Sequence, residues 1–309
     1  MHKKLFSFVL CFSLMTSGCL EGSTPDMDGD GIQDSEDQDI DGDGWSNSEE
    51  LNCTSDPNDA EVTPTDTDGD SQCDPNDLDD DGDSWSDAEE GRCGTDPVDG
   101  ESVPDDLDGD MECDEWDDDA DGDDLPNEWE LERGFDPMDP NDFISCHGEA
   151  KYCLRTYDDF TFAETHNAYS TIEDQILVGV NHYTGLQRQW DDGIRAFMLD
   201  SHHSHYEHTS KEDVRFCHST GQFFHPCNFG EVDAFEWMRM LNSLMNNSSG
   251  DVVTLLIENY VPASHLSFLF NETGMKDRIY THTLGDDWPS LGDLVIHGKN
   301  LVVFWEQSQ

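Results

Sequence analysis

The apolar positions of this chain fall into two regimes. Between residues 26 and 142 they stand singly among acidic side chains, with Trp45, Trp85, Trp116 and Trp129 the bulkiest. Such a stretch cannot bury a core and predicts little regular secondary structure. From Cys146 the pattern changes. Apolar runs at 160–163, 194–199, 214–217, 252–257 and 301–305 read as strands. Between them, 176–190, 231–245 and 265–270 read as helices, the second with Val232, Phe235, Met238, Leu241 and Leu244 at helical spacing. Strands alternating with helices predict a parallel sheet covered by helices, with its chemistry at the C-terminal strand ends.

A further apolar run covers 5–15, after the basic start of Lys3 and Lys4 and before Thr16-Ser17-Gly18-Cys19. It is too short to span a bilayer and reads as a secretory signal, residues 1–18. Small residues before Cys19 predict a bacterial lipoprotein, with Cys19 carrying the lipid, although Thr16 departs from the usual aliphatic residue. The expected location is therefore extracytoplasmic: a cell-surface or outer-membrane lipoprotein held by its lipid, or otherwise a secreted protein. Eight cysteines remain to pair in an oxidising compartment. The natural pairings are Cys53 with Cys73, Cys93 with Cys113, Cys146 with Cys153, and Cys217 with Cys227.

Charge sharpens the division. The 309 residues carry a formal net charge of -58. Residues 1–145 hold 49 acidic against 4 basic side chains, and 146–309 hold 23 against 10. So lopsided a balance excludes nucleic acid as a partner. In the first half the acids are periodic. The motif DxDGD starts at Asp26, Asp66 and Asp106, and again at Asp39, Asp79 and Asp119, a period of 40. The second set extends into twelve-residue loops with oxygen-bearing residues at positions 1, 3, 5, 7, 9 and 12. These are Asp39, Asp41, Asp43, Trp45, Asn47 and Glu50; Asp79, Asp81, Asp83, Trp85, Asp87 and Glu90; and Asp119, Asp121, Asp123, Leu125, Asn127 and Glu130. That is the ligand register of an EF-hand-like calcium loop, with position 7 giving a backbone carbonyl and position 12 a bidentate carboxylate. A disordered acidic spacer would not place glutamate at position 12 three times. Position 6 is glycine only at Gly44; Ser84 and Asp124 stand in the other two loops, where a looser turn is expected. The array resembles thrombospondin type 3 repeats, which implies a calcium-stiffened, disulfide-linked stalk over 19–145 and no catalysis there.

In the second half, 146–309, each strand ends on a side chain able to do chemistry: His166 and Asn167, then Asp200, His218 and Glu258. Period-two alternation puts Ala196, Met198 and Asp200 on one face, Val214, Phe216 and His218 on another, and Thr254, Leu256 and Glu258 on a third. Four strands ending alike point to a shared site. THNAY at 165–169, DDGIRAFMLDSH at 191–202, FCHSTGQ at 216–222, GDVVTLLIENYV at 250–261 and WPSLGDLVIHGKNLVVFWE at 288–306 resemble the X region of phosphatidylinositol-specific phospholipase C-like phosphodiesterases. The resemblance implies an α/β fold, a TIM-type (β/α) barrel of which this sequence carries about five strands, its N-terminal part. It also implies cleavage of phosphoinositides or related glycerophosphodiesters by attack of a neighbouring hydroxyl on phosphorus. His166 would stabilise the transition state and His218 would protonate the leaving alkoxide. Asn167, Asp200 and Glu258 would hold a catalytic calcium, with Asp200 also able to act as base. Met198 departs from the glutamate of the calcium-dependent pattern. Arg195, in register opposite to Asp200, is expected to be structural, and the run His202, His203, His205 and His208 is too irregular for a zinc site. The competing reading is a non-catalytic calcium-binding surface or adhesion protein with a degenerate barrel module. Oligomeric state is left open.

Overall fold

A computed structural model describes residues 25–176, 178–207, 209–218 and 225–307. The segment 1–18 expected to be a signal, Cys19 and His208 lie outside the described residues. The chain divides into two compact units. One runs to Asp106 and takes up Asp110–Trp116; the other comprises Leu107–Gly109 and everything from Asp117. The division expected after residue 145 thus falls earlier, and the third acidic loop belongs with the sheet.

The first unit is a run of turns closed by two short helices, α1 (Asn47–Asn52) and α2 (Asp87–Cys93). Each starts with the S-x-x-E pattern of a capping box: Ser46 Oγ accepts from Glu49 N, and Ser86 Oγ from Glu89 N, with the glutamate reaching back in both. Disulfides Cys53–Cys73 and Cys93–Cys113 form as the spacing predicts. The two sets of DxDGD motifs lie against each other. At Gly42 an added Cβ would come within 2.8 Å of Asp28 Cβ, so only glycine permits the approach. Ser84 and Asp124 (the latter in the second unit) nonetheless keep the tight turn of Gly44, with φ of 88° and 74° against 101°. The expected loosening does not occur; the loops hold L-residues in a left-handed conformation instead.

The second unit opens with a third such helix, α3 (Asn127–Arg133), then the disulfide Cys146–Cys153 beside a 3-10 turn, Ala150–Leu154. Among the described residues six strands follow: β1 (Glu164–Thr165), β2 (Ala196–His203), β3 (Val214–Phe216), β4 (Val232–Asp233), β5 (Val253–Asn259) and β6 (Leu301–Gln307). Among them lie α4 (Leu186–Asp191), α5 (Ala234–Asn246), α6 (Ala263–Glu272) and α7 (Leu291–Ile296). The sheet order is β4-β3-β2-β5-β6, with β1 also paired to β2. Strands β1, β2, β5 and β6 are parallel, β3 pairs antiparallel with both β2 and β4, and among the described residues the sheet does not close into a barrel.

The departure from an all-parallel sheet has a local cause. Parallel neighbours need a crossover of a dozen or more residues, usually helical. Only ten residues separate His203 from Val214, and Ser204 Oγ donates to Asp213 Oδ2 at 2.6 Å across them. β3 therefore returns alongside β2. The helix expected over 176–190 shrinks to α4, because Thr171 and Asp174 form a side-chain turn and Gln175 takes φ of 62°. The strand expected over 160–163 forms instead at β1, while Phe160 and Phe162 pack with His147 and Tyr157.

One face of the sheet, with Phe197, Leu199, Leu255 and Ile257, packs on Phe235, Met238 and Leu241 of α5 and on Leu266 and Leu269 of α6. Asp233 caps α5 by accepting from the Phe235 and Glu236 amides. The opposite face carries register rows across β2, β5 and β6. Ala196, Thr254 and Val302 form the first, Met198, Leu256 and Phe304 the second, and Asp200, Glu258 and Glu306 the third.

Candidate active site

The third row puts carboxylates at the C-terminal ends of three adjacent parallel strands, and the site is built around the most buried of them. Asp200 is 2% exposed. His218 Nδ1 donates to its Oδ2 at 2.6 Å, and the Tyr169 hydroxyl donates to the same oxygen at 3.2 Å. Tyr169 also lies 3.5 Å from Asn167 Oδ1. Asp200 Oδ1 remains buried with no hydrogen-bond partner.

Local backbone explains how these groups meet. Asn167 leaves β1 with φ of 50°, a left-handed conformation that asparagine tolerates, and is 1% exposed. The turn is locked by Ala168 N donating to Met198 O, and by Asn181 Nδ2 and His182 Nε2 on His166 O. His218 does not share an inward face with Val214 and Phe216, as alternation predicts. Those two lie in the helix-side core, the strand ends at Phe216, and Cys217 N donates to Asp200 O, so His218 reaches Asp200 from a turn. The disulfide Cys217–Cys227 closes behind it.

His166 is exposed at the end of β1, outside this chain of hydrogen bonds. Glu258 is half-buried beside Asp200 in the register, and its Oε2 accepts from Tyr260 at 3.0 Å. The Tyr260 ring stacks on His202 at 4.3 Å. Burial holds the Asp200 carboxyl above the ordinary aspartate range, against the opposing hydrogen bond from His218. Burial and the neighbouring Asp200 and Glu258 drive the Tyr169 phenol far upward, so it is a donor at any working pH. Burial and the surrounding His225, His218 and His203 push His202 down to about 4, so it is neutral.

Two residues escaped the sequence reading. Tyr169 follows Asn167 by two positions inside THNAY, and Glu306 continues the alternation of Val302 and Phe304. Arg195 is structural, as its register implies. Its guanidinium lies 3.7 Å over Trp190 and its Nε is 2.9 Å from Asp251 Oδ1, with His147 on the same carboxylate.

The acidic loops have their own geometry. In the first, one oxygen of Asp41 and of Asp43 accepts a backbone amide within the turn, and the other is buried without a partner; both oxygens of Glu50 are likewise unpaired. The second and third loops repeat this at Asp81, Asp83 and Glu90 and at Asp121, Asp123 and Glu130, adding Asp79 Oδ1 and Asp119 Oδ1. Glu50, Glu90 and Glu130 are 0% exposed. Buried carboxylates without donors fit a hard cation with oxygen ligands. Position 9 is different. Asn47 and Asn127 spend their amides on backbone groups of Ile40 and Asp37, and of Ala120 and Asp117. Asp87 Oδ1 likewise accepts from Asp80 N. These three side chains staple the loops to backbone as well as standing at the expected ligand position.

The family model for PI-PLC X (PI-PLC X 1) matches residues 152–309. The chain belongs to this family. It is 29% identical over 160 residues to a PI-PLC X domain-containing protein of Arabidopsis thaliana, covering 48% of this chain and 36% of that one. PI-PLC X domain-containing protein 1 of Arthroderma benhamiae is 28% identical over 171 residues, 52% of this chain and 50% of its own. A protein of the same fungus named an uncharacterized secreted protein is 26% identical over 173 residues, 54% and 36%. The chain thus spans between a third and a half of the length of these relatives.

Proposed function

We propose that this PI-PLC X protein is an exported phosphodiesterase acting on phosphoinositides or related glycerophosphodiesters, with calcium held both in its acidic loops and at its active site. The observation that carries the reading is the chain Asn167–Tyr169–Asp200–His218, which fixes one imidazole tautomer at the open end of the sheet. With Nδ1–H committed to Asp200, His218 Nε2 is the nitrogen that faces a substrate. A protonated His218 delivers that proton to the departing alkoxide, and the Asp200 carboxylate stabilises the imidazolium. Asp200 is then the residue that orients the acid, which leaves it little freedom to act as base. His166, exposed at the same sheet end, donates to a phosphoryl oxygen as negative charge builds.

Asp200 Oδ1, Asn167 and Glu258 are the groups that would hold the catalytic cation, the bare Asp200 oxygen being the feature that fits one. Calcium there would acidify the attacking hydroxyl. The loop carboxylates support the resemblance to thrombospondin type 3 repeats, and the 5–15 run and Cys19 support export with lipid anchoring. The active-site half-row in which Met198 replaces a carboxylate favours a second reading, a calcium-binding surface protein with an inactive module. Release of inositol phosphate from phosphatidylinositol or glycerophosphoinositol, with added calcium or chelator, separates the two. Wild type should release product in calcium and His166→Ala should not. Release by neither protein from any inositol substrate supports the inactive module.

A further inference from the structure

The third acidic loop differs from the other two in what it touches. Leu125, at its seventh position, is fully buried, and with Trp129 it packs into a second core cluster that includes Tyr157, Leu291, Leu294 and Val302. The fit is close: a Cβ added at Gly292 would come within 2.7 Å of Trp129 Cζ2. Arg133, at the end of the same helix, pairs with Asp293 at 3.1 Å and lies 4.3 Å over the Trp129 ring. From this cluster Tyr157 reaches the sheet, where its hydroxyl meets Thr254 Oγ1 of β5 at 2.6 Å.

The loop that presents Leu125, Trp129 and Arg133 is centred on Glu130. That residue is 0% exposed with neither oxygen paired, beside unpaired oxygens of Asp119, Asp121 and Asp123. Asp119, Asp121 and Asp123 each spend one oxygen on a backbone amide and turn the other, unpaired, toward Glu130, so four carboxylates repel one another across partly buried space. A divalent cation with oxygen preference removes that repulsion and fixes the backbone of the turn.

We infer that the loop Asp119–Glu130 is a structural calcium site of the PI-PLC X unit itself, whose filling holds Trp129 and Arg133 against α7 and so secures the second core under β5 and β6. The inference rests on the reading of the acidic loops as calcium sites and goes beyond it. Calcium in this loop sets the order of the catalytic unit, whereas calcium in the loops ending at Glu50 and Glu90 does not.

The test uses the full chain, with bound calcium counted and amide hydrogen exchange followed in segments 150–157 and 291–296. Glu130→Gln should lose one calcium and raise exchange in both segments about tenfold or more. Glu90→Gln should lose one calcium and leave them unchanged. Equal protection in the two variants overturns the inference while the calcium reading stands; no calcium bound by wild type overturns both. If Glu130→Gln does not fold, a calcium titration of wild type carries the same decision. Protection of 291–296 should rise with calcium, and protection indifferent to calcium overturns the inference.

Discussion

His218 and Asp200 are joined at 2.6 Å because the short β2–β3 connection brings β3 back antiparallel, laying Cys217 beside Asp200 and delivering His218 to its carboxylate. The pair is half hidden: the Asp200 side chain is 3% exposed and that of His218 37%. Asp200 therefore works through His218. Asp200→Asn should lower kcat about 10²–10⁴-fold, the range a positioned proton donor supplies, with little change in KM. Tyr169→Phe keeps the ring and removes the hydroxyl that meets Asp200 and Asn167, so a fall of about tenfold is expected. Steady-state kinetics with calcium present read both.

The layering of this site was legible in part. Alternation in AFMLDSH and VTLLIEN placed Asp200 and Glu258 on one face, because a parallel strand obeys a fixed period of two. His218 meets Asp200 by a route that alternation does not give, since nothing local to FCHST says that its strand runs backward. That orientation depends on the length of a neighbouring connection. Tyr169 was invisible as a polar residue because its ring packs with Phe216 at 5.8 Å while its hydroxyl serves Asp200. In the acidic loops the register of Asp and Glu followed from spacing alone. The fate of position 9 did not, since an asparagine side chain bonds equally well to backbone. The membership of the third loop in the second unit rests on Leu125 packing in one cluster with Leu291 and Leu294 and on Trp129 meeting Gly292, contacts more than 160 residues apart in sequence.

Ser84 holds φ of 88° where Gly44 holds 101° in the equivalent turn. A side chain in that region is strained, and glycine relieves the strain at the expense of unfolded-state entropy. Ser84→Gly should raise the stability of the calcium-loaded first unit by about 1 kcal/mol. Thermal unfolding at fixed calcium checks it; a lower midpoint would show that the hydroxyl contributes more than the turn loses.

Asp251 is 7% exposed between Arg195 and His147. Its hydrogen bonds and the adjacent guanidinium hold its carboxyl well below the usual aspartate range, overcoming the effect of burial. A carboxyl depressed in the folded state contributes stability above its unfolded value, near 3.9, and loses it as pH falls below. The second unit should lose stability from about pH 4 downward. Asp251→Asn should flatten that acid limb and reduce stability at pH 7 by about 2 kcal/mol, since part-buried Arg195 loses its charged partner and keeps only its bonds to the Trp190 and Ile194 carbonyls. Denaturant titrations at pH 7, 5 and 3 measure both effects.

The central claim is that His218, aligned by Asp200, protonates the leaving group, and leaving-group dependence tests it most directly. His218→Ala should be compared with wild type on glycerophosphoinositol, whose alkoxide needs a proton, and on the p-nitrophenyl ester of inositol phosphate, whose phenolate does not. The account predicts a loss of about 10²-fold or more on the first and at most a few-fold loss on the second. An equal loss on both substrates, or none on either, would contradict it.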